Sequence, residues 1–231
     1  MSQTADHMFE SEILDGLSEP VLAALEGRFG AARFGKGELI YSPFDRADAM
    51  YVVQTGRIRL YRSAHDGRQL TLAMLDEGEV FGRVSPEGEA LALHDAYAEA
   101  MTDAVVRVLP SAELERATAE HPRMALNLLR SLAERLRSTE DQLESLAFRG
   151  VPARLAAQLL QLMDRYGRVT HTGIRIDERF THVQLAEMIG TSRETLTKVM
   201  NELREGGLID VRDRLVWVLD PDGLERLRGS G

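Results

Sequence analysis

Arg193 and Glu194 are adjacent in the chain, and Lys198 follows about one helical turn later. An arginine can donate two parallel hydrogen bonds to O6 and N7 of a guanine, and a glutamate can accept one from N4 of a cytosine. Lys198 is one of only two lysines, the other being Lys36, beside 26 arginines; it can reach a guanine or a phosphate. Such side chains read base pairs only when a helix presents them together near its N-terminal end. The segment His182–Met200 predicts that helix and a partner for it. Ala186 is small where the two helices cross, Gly190 suits a turn that needs positive φ, and Ser192 is a natural N-cap. Leu185, Ile189, Leu196 and Val199 supply the apolar faces. The second helix then presents Arg193, Glu194, Thr197 and Lys198 outward. Thr181 and His182, opening the first helix, are placed for backbone phosphates. A plain helical pair with a solvated polar face would share this pattern. Against it, Glu205-Gly206-Gly207 stops the second helix, and Leu208–Val211 with Leu215–Leu219 predict a hairpin about Arg212-Asp213-Arg214. That hairpin is a wing with Arg212 and Arg214 at its tip.

The elements that must carry this motif are legible upstream. Leu129, Leu132, Leu136, Thr139, Leu143 and Leu146 recur at spacings of 3, 4, 3, 4 and 3, within a predicted helix from about Arg123 to Phe148. This is a heptad seam, which fits a parallel coiled coil with a second copy or the core of a single chain. A homodimer is expected. Thr139, with Glu140 beside it, puts a polar position in the seam, where such residues often set register or meet a ligand. Gly150-Val151-Pro152 breaks the helix as a hinge. Beyond it the chain predicts a helix over Ala153–Tyr166, a loop over Gly167–Gly173, a short strand Ile174–Ile176, two short helices and the hairpin.

Before Pro110 the period changes to that of strands. Glu38–Tyr41, Met50–Val53, Arg57–Arg62, Gln69–Leu75, Glu79–Phe81 and Val105–Leu109 are short, rich in β-branched or aromatic residues, and separated by turn signals. Regular turns of this kind favour an all-β barrel or a double-sheet roll. Ser18-Glu19-Pro20 opens a short helix before it, through about Phe29. The expected fold class is α+β: an N-terminal β-roll (double-stranded β-helix) with flanking helices over residues 1–122, a dimerisation helix over 123–149, and a winged helix-turn-helix over 150–231.

These motifs together resemble the CRP/FNR family of bacterial transcription regulators over nearly the whole chain. Gly190-Thr191-Ser192-Arg193-Glu194-Thr195 resembles the family's Gly-x-Ser-Arg-Glu-Thr signature, which also brings Thr191 into the DNA-binding set. Val52–Ile58, with its glycine turn, resembles a strand pair of the effector domain. Leu75–Gly82 resembles the strand entering the ligand pocket, and Ser145–Phe148 the end of the dimer helix. The resemblance implies a cyclic-nucleotide-binding-type β-roll, a homodimer, and a palindromic site with TGTGA-like halves read by Arg193, Glu194 and Lys198. Family members of the cAMP type have arginine at the last of these positions. It also implies that the loop Thr170-His171-Thr172-Gly173 matches the surface through which activators touch RNA polymerase.

The pocket departs from the pattern. Members that bind cyclic nucleotide carry Gly-Glu at the entrance, where this chain has Gly82-Arg83. They carry Arg-Ser or Arg-Thr before an alanine, where this chain has His94-Asp95. On the dimer helix Thr139 matches, but Glu140 replaces a serine. Weak or absent cAMP binding is therefore expected, with no cofactor required, although Arg83 could serve the cyclic phosphate from the opposite side. Another small effector would also fit.

Composition narrows the classes further. With no cysteine, disulfide scaffolds, Cys-ligated zinc and iron–sulfur sensing are excluded. The six histidines are scattered singly, and no P-loop, nucleophile elbow or dinucleotide fingerprint is present, so an enzyme is not expected. A ligand-binding module acting through protein contacts alone is a rival that the winged motif disfavours. No apolar run approaches the ~18 residues of a membrane helix, and the first residues lack the features of a secretory signal. A cytoplasmic protein with double-stranded DNA, a second copy and RNA polymerase as partners, and no membrane, is expected. The net charge of -9 first argues against DNA, but residues 1–150 hold 16 basic and 25 acidic side chains while 151–231 hold 12 of each. The excess acidity lies away from the reading helix.

Overall fold

The structure, a computed structural model, describes residues 10–82 and 93–229. The chain forms two compact units. One comprises the residues through Arg62 together with Leu72–Arg137, the other Ser63–Thr71 together with Ser138–Gly231.

The first unit is a β-roll with helices. After a 3₁₀ turn at Glu12–Leu14, helix α1 spans Glu19–Glu26. Strands β1 (Gly30–Phe34), β2 (Leu39–Tyr41), β3 (Ala49–Thr55), β4 (Ile58–Ser63), β5 (Gln69–Leu75), β6 (Val80–Phe81), β7 (Tyr97–Ala100) and β8 (Ala104–Pro110) follow. They form two four-stranded sheets, ordered β1-β8-β3-β6 and β2-β7-β4-β5. Strand β3 shows why its residues are apolar on both faces. Val53 joins Tyr41, Ile58, Leu60, Phe81 and Val106 between the sheets, whereas Met50 and Val52 join the helix-side core with Leu25, Leu109, Leu114 and Met124. Two strands escape the sequence pattern, β1 and β7. Both are built on alanine, and in β7 Ala98 and Ala100 are fully buried in the roll interior, where small side chains suit a tight interior but carry no β-propensity signal. The first helix also stops earlier than expected, because β1 begins at Gly30.

Helix α2 spans Ser111–Glu120 and α3 spans Pro122–Phe148. One face of α3 is anchored: Met124, Asn127 and Ser131 are buried. Asn127 donates to the carbonyls of Ile13 and Asp15, and Ser131 donates to Glu12 at 2.6 Å. The face carrying Leu126, Leu129, Leu132 and Leu136 is left more than half exposed, as is Leu143 further along.

The second unit continues with α4 (Val151–Tyr166), β9 (Gly167–Thr170), β10 (Gly173–Ile176), α5 (His182–Met188), α6 (Arg193–Glu205), β11 (Ile209–Arg212), β12 (Leu215–Val218) and α7 (Pro221–Arg228). Its sheet runs β11-β12-β10-β9. The stretch expected as a loop over Gly167–Gly173 is therefore largely strand. Arginine and glycine at Gly167-Arg168 conceal it, since β9 is an edge strand that takes its order from pairing with β10. Helix α7, absent from the sequence expectation, opens with the Asp220 carboxylate capping the amide of Gly223 at 2.9 Å. The fold as a whole is the roll, long helix and C-terminal winged helix-turn-helix of an α+β protein.

Candidate nucleic-acid interface and effector-type site

The reading helix α6 is built by its cap. Ser192 Oγ accepts the Thr195 amide at 3.1 Å. At the other end Gly207 adopts φ +72, and the Gly207 and Leu208 amides close onto the carbonyls of Arg204 and Leu203, a Schellman stop. Leu196, Val199, Met200 and Leu203 are buried on one face, so Arg193, Glu194 and Lys198 are left exposed on the other. The Glu194 carboxyl is held below the usual carboxylate range, first by its own backbone amide at the helix start, then by the Ser192 hydroxyl, with Arg193 contributing less. It is thus an acceptor-only group at neutral pH. Lys198 lies 3.9 Å from Glu202 on the same exposed face.

Helix α5 is held in a capping box: the Thr181 hydroxyl accepts the Gln184 amide, and Gln184 Oε1 accepts the Thr181 amide at 2.8 Å. The turn between the helices needs Gly190. Its φ is +62, and a Cβ there would stand 2.9 Å from Leu146. Two polar side chains tie this turn down. Arg154 donates to the carbonyls of Arg149 and Ile189, and Gln142 donates to those of Thr71 and Met188. These carbonyls lie at the ends of α3 and α5 and within β5, and sequence spacing alone does not reveal the pairing.

Two expectations are corrected here. Thr197 does not present its hydroxyl outward: Oγ1 donates to the Arg193 carbonyl at 2.8 Å and lies 2.9 Å from His182 Nδ1. A threonine one turn from a helix start readily bonds back to the carbonyl four residues before it. Arg212 is not at the wing tip. It ends β11, pairs with Asp210 at 2.7 Å, lies 5.0 Å over the Trp217 ring and reaches Thr172 at 3.5 Å. The tip is Asp213-Arg214, both with positive φ (53 and 64), and Arg214 makes no ion pair among the described residues. Thr170 and Gly173 are paired across the β9–β10 turn, with His171 and Thr172 exposed at its tip and Val169 82% exposed beside it.

The effector-type site divides its expected residues. Gly82 has φ +99, and a Cβ there would meet the Tyr51 ring at 2.7 Å. His94 points inward, 4% exposed, its ring stacked on Tyr41 at 3.6 Å and 7°. Tyr51 and Phe81 stack beside them at 5.2 Å. Burial pushes the Tyr41 hydroxyl well above the usual phenol range, with the neighbouring Tyr51 adding to the shift. Asp95, one residue on in the bend before β7, turns out to solvent and pairs with Arg62 at 2.8 Å. Thr139 and Glu140 are exposed on α3, and Arg83 lies outside the described residues. A residue the sequence does not single out, Arg135 of α3, donates to the Val80 carbonyl at 2.5 Å and bears electrostatically on Tyr41.

No group of three or more metal-ligating side chains occurs among the described residues, and no described helix is long and apolar enough to cross a membrane.

Residues 31–121 match the cyclic nucleotide-binding domain and residues 153–227 the Crp-like helix-turn-helix domain. The global nitrogen regulator of Synechocystis sp. is 33% identical over 84% of this chain and 86% of its own. The CRP-like cAMP-activated global transcriptional regulator of Mycobacterium tuberculosis is 28% identical over 93% of this chain and 95% of its own. Among solved structures, a CRP-family transcriptional regulator from Thermus thermophilus superposes with a TM-score of 0.71 at 31% identity, covering 87% of this chain and 97% of that one. The helix-turn-helix match and these relatives define a DNA-binding transcription regulator. This chain belongs to the CRP/FNR family.

Proposed function

We propose that the protein acts as a homodimer that reads a palindromic duplex with TGTGA-like halves and does so without cAMP. The observation that carries the reading is the capped α6, with Arg193 and Glu194 exposed in its first turn. Arg193 reads a guanine, Glu194 a cytosine, and Lys198 a guanine or a phosphate; Thr181, Thr191, Ser192 and Arg214 line the backbone side of the interface, and His182 and Arg212 support it with side chains engaged by Thr197 and Asp210. The exposed leucines of α3 are the dimer surface, and two-fold symmetry then sets the half-sites about 34 Å apart. Residues 1–122 form the effector-type domain, 123–149 the dimerisation helix and 150–231 the DNA-binding domain. The tip Thr170–Gly173, with exposed Val169, is the surface offered to RNA polymerase.

Independence from cAMP is supported by the aromatic packing at the effector-type site. The position where cyclic-nucleotide-binding members carry arginine is His94, and its ring is stacked on Tyr41. The Asp95 carboxylate is engaged by Arg62 instead of facing a ligand. A cyclic phosphate would find neither of the family's phosphate groups at these positions. Selection from random duplexes with the protein as purified is expected to enrich a palindrome in a mobility shift without added nucleotide. Calorimetry is expected to give no cAMP or cGMP binding at micromolar concentration; a shift that needs nucleotide would overturn the reading.

A further inference from the structure

The DNA-reading set contains a residue that works through another. His182 opens α5 and Thr197 lies in the second turn of α6, fifteen positions apart, yet Nδ1 and Oγ1 are 2.9 Å apart in a part-buried contact. Thr197 Oγ1 also stands 2.8 Å from the Arg193 carbonyl. A carbonyl can only accept, so the threonine hydroxyl proton is committed to it. The imidazole Nδ1 must then be the donor. The result is a directional chain from His182 Nδ1–H to the Thr197 hydroxyl to the backbone of Arg193, the residue whose side chain faces guanine.

We propose that His182 is a positioning residue for base reading, acting through Thr197 to hold the first turn of α6 against the start of α5. This rests on the DNA-binding reading of α6. Thr197 itself is then withdrawn from the bases, because its one proton and an accepting lone pair are both used inside the protein. Discrimination between bases falls to Arg193, Glu194 and Lys198. Elsewhere the α5–α6 pair is joined by apolar packing through Leu185, Ile189, Leu196 and Val199, which resists separation better than sliding, since dispersion and burial are not directional. A hydrogen bond between the two helices supplies the direction.

The two ring nitrogens allow the inference to be tested against a plain phosphate contact by His182. Asparagine places its amide NH₂ near Nδ1, whereas glutamine places it near Nε2. The enriched palindrome and a scrambled duplex of equal length are titrated by fluorescence anisotropy with H182N, H182Q, T197S and T197V. T197V and H182Q are expected to lose roughly five-fold in affinity for the palindrome, the worth of one net hydrogen bond, with little change on the scrambled duplex or in salt dependence. T197S and H182N, which restore the hydroxyl or the donor, are expected to recover most of that loss. If T197V keeps the wild-type affinity ratio, the inference fails. It fails equally if H182Q retains binding while H182N loses it on both duplexes, which marks a phosphate contact through Nε2. A T197V variant with altered preference at a single base pair would make Thr197 a base reader and also overturn it. A wild-type protein that enriches no duplex overturns the DNA reading itself, a result distinct from these.

Discussion

Arg214 concentrates the tension between stability and function at the scale of one residue. It holds φ +64 in a two-residue hairpin turn behind Asp213 at φ +53, a conformation that primed turns normally give to Asn or Gly. For a residue with a Cβ this costs about 1 kcal/mol. The chain keeps arginine there, exposed at the tip of the wing. Arg214→Gly is expected to raise unfolding stability by about 1 kcal/mol in denaturant titrations. The same variant is expected to weaken binding to any duplex and to lower the slope of log affinity against log salt by about 1, the signature of one lost phosphate contact. A variant that gains stability without losing affinity would remove Arg214 from the interface. Arg212 behaves oppositely, because Asp210 and the Trp217 ring already hold its guanidinium. Residue type alone could not separate the two arginines, since both flank Asp213 and only the folded hairpin puts one at the end of β11 and the other in the turn.

Helix α3 decides most at the scale of elements. Its apolar positions divide between two faces: Met124 is fully buried, while Leu126, Leu129, Leu132, Leu136 and Leu143 are between 52% and 63% exposed. A leucine stripe of that length left in water is unfavourable, and under the proposed homodimer a second copy of the same stripe would cover it. Leu132→Glu with Leu136→Glu is expected to leave a folded monomer by sedimentation velocity. Affinity for the palindrome is expected to fall roughly hundred-fold or more, because two half-site contacts no longer reinforce each other. A double variant that remains dimeric would move the interface elsewhere. The heptad pattern revealed this seam from sequence, apart from Leu126, which continues it by a further three residues. Local signals, caps and glycines, likewise revealed α5, the turn at Gly190 and α6. The pattern did not reveal β1, β7 or β9, whose alanines, glycines and arginine carry little strand preference and are ordered by the neighbours they pair with.

At the scale of the molecule, charge is the organising quantity. A net charge of -9 carried wholly by residues 1–150 repels DNA from the body of the protein while the neutral remainder reads it. Affinity for unrelated duplexes is therefore expected to be low, and because salt screens this repulsion while it weakens the phosphate contacts, the fall of palindrome affinity with salt is expected to be shallower than the number of those contacts alone would give. The carboxylates also set the response to acid. Hydrogen bonds from Arg28 to Glu120, Arg175 to Asp177 and Arg212 to Asp210 each hold the carboxyl below its usual range. In the unfolded chain those groups take up protons at higher pH than in the folded one. Their stabilisation is complete above the ordinary carboxylate range and is lost as pH falls through the lowered values. The melting temperature is expected to be nearly flat from pH 7 to about pH 5 and to decline below it; each exposed pair contributes little, so the decline is gradual. A melting temperature that rises on acidification would contradict this assignment.

The amino-acid sequence by itself determined the class of the protein, the helix-turn-helix with its caps, the leucine seam and the departure from the cyclic-nucleotide pattern at His94-Asp95. These depend on residue type and on spacings within a turn or two, where local sterics and hydrogen bonding act. Only the tertiary structure decided that His94 stacks inward on Tyr41 while Asp95 turns outward to Arg62. It also decided that Thr197 bonds to His182 instead of facing outward, and that Arg154 and Gln142 fasten the reading turn. The contacts from Gln142 to Thr71 and Met188, from Arg154 to Ile189 and from His182 to Thr197 join residues between 15 and 71 positions apart. The stacking of His94 on Tyr41 likewise spans several strands of the roll. A side chain's partner at such separations is chosen by the packing of whole elements, which no local spacing encodes.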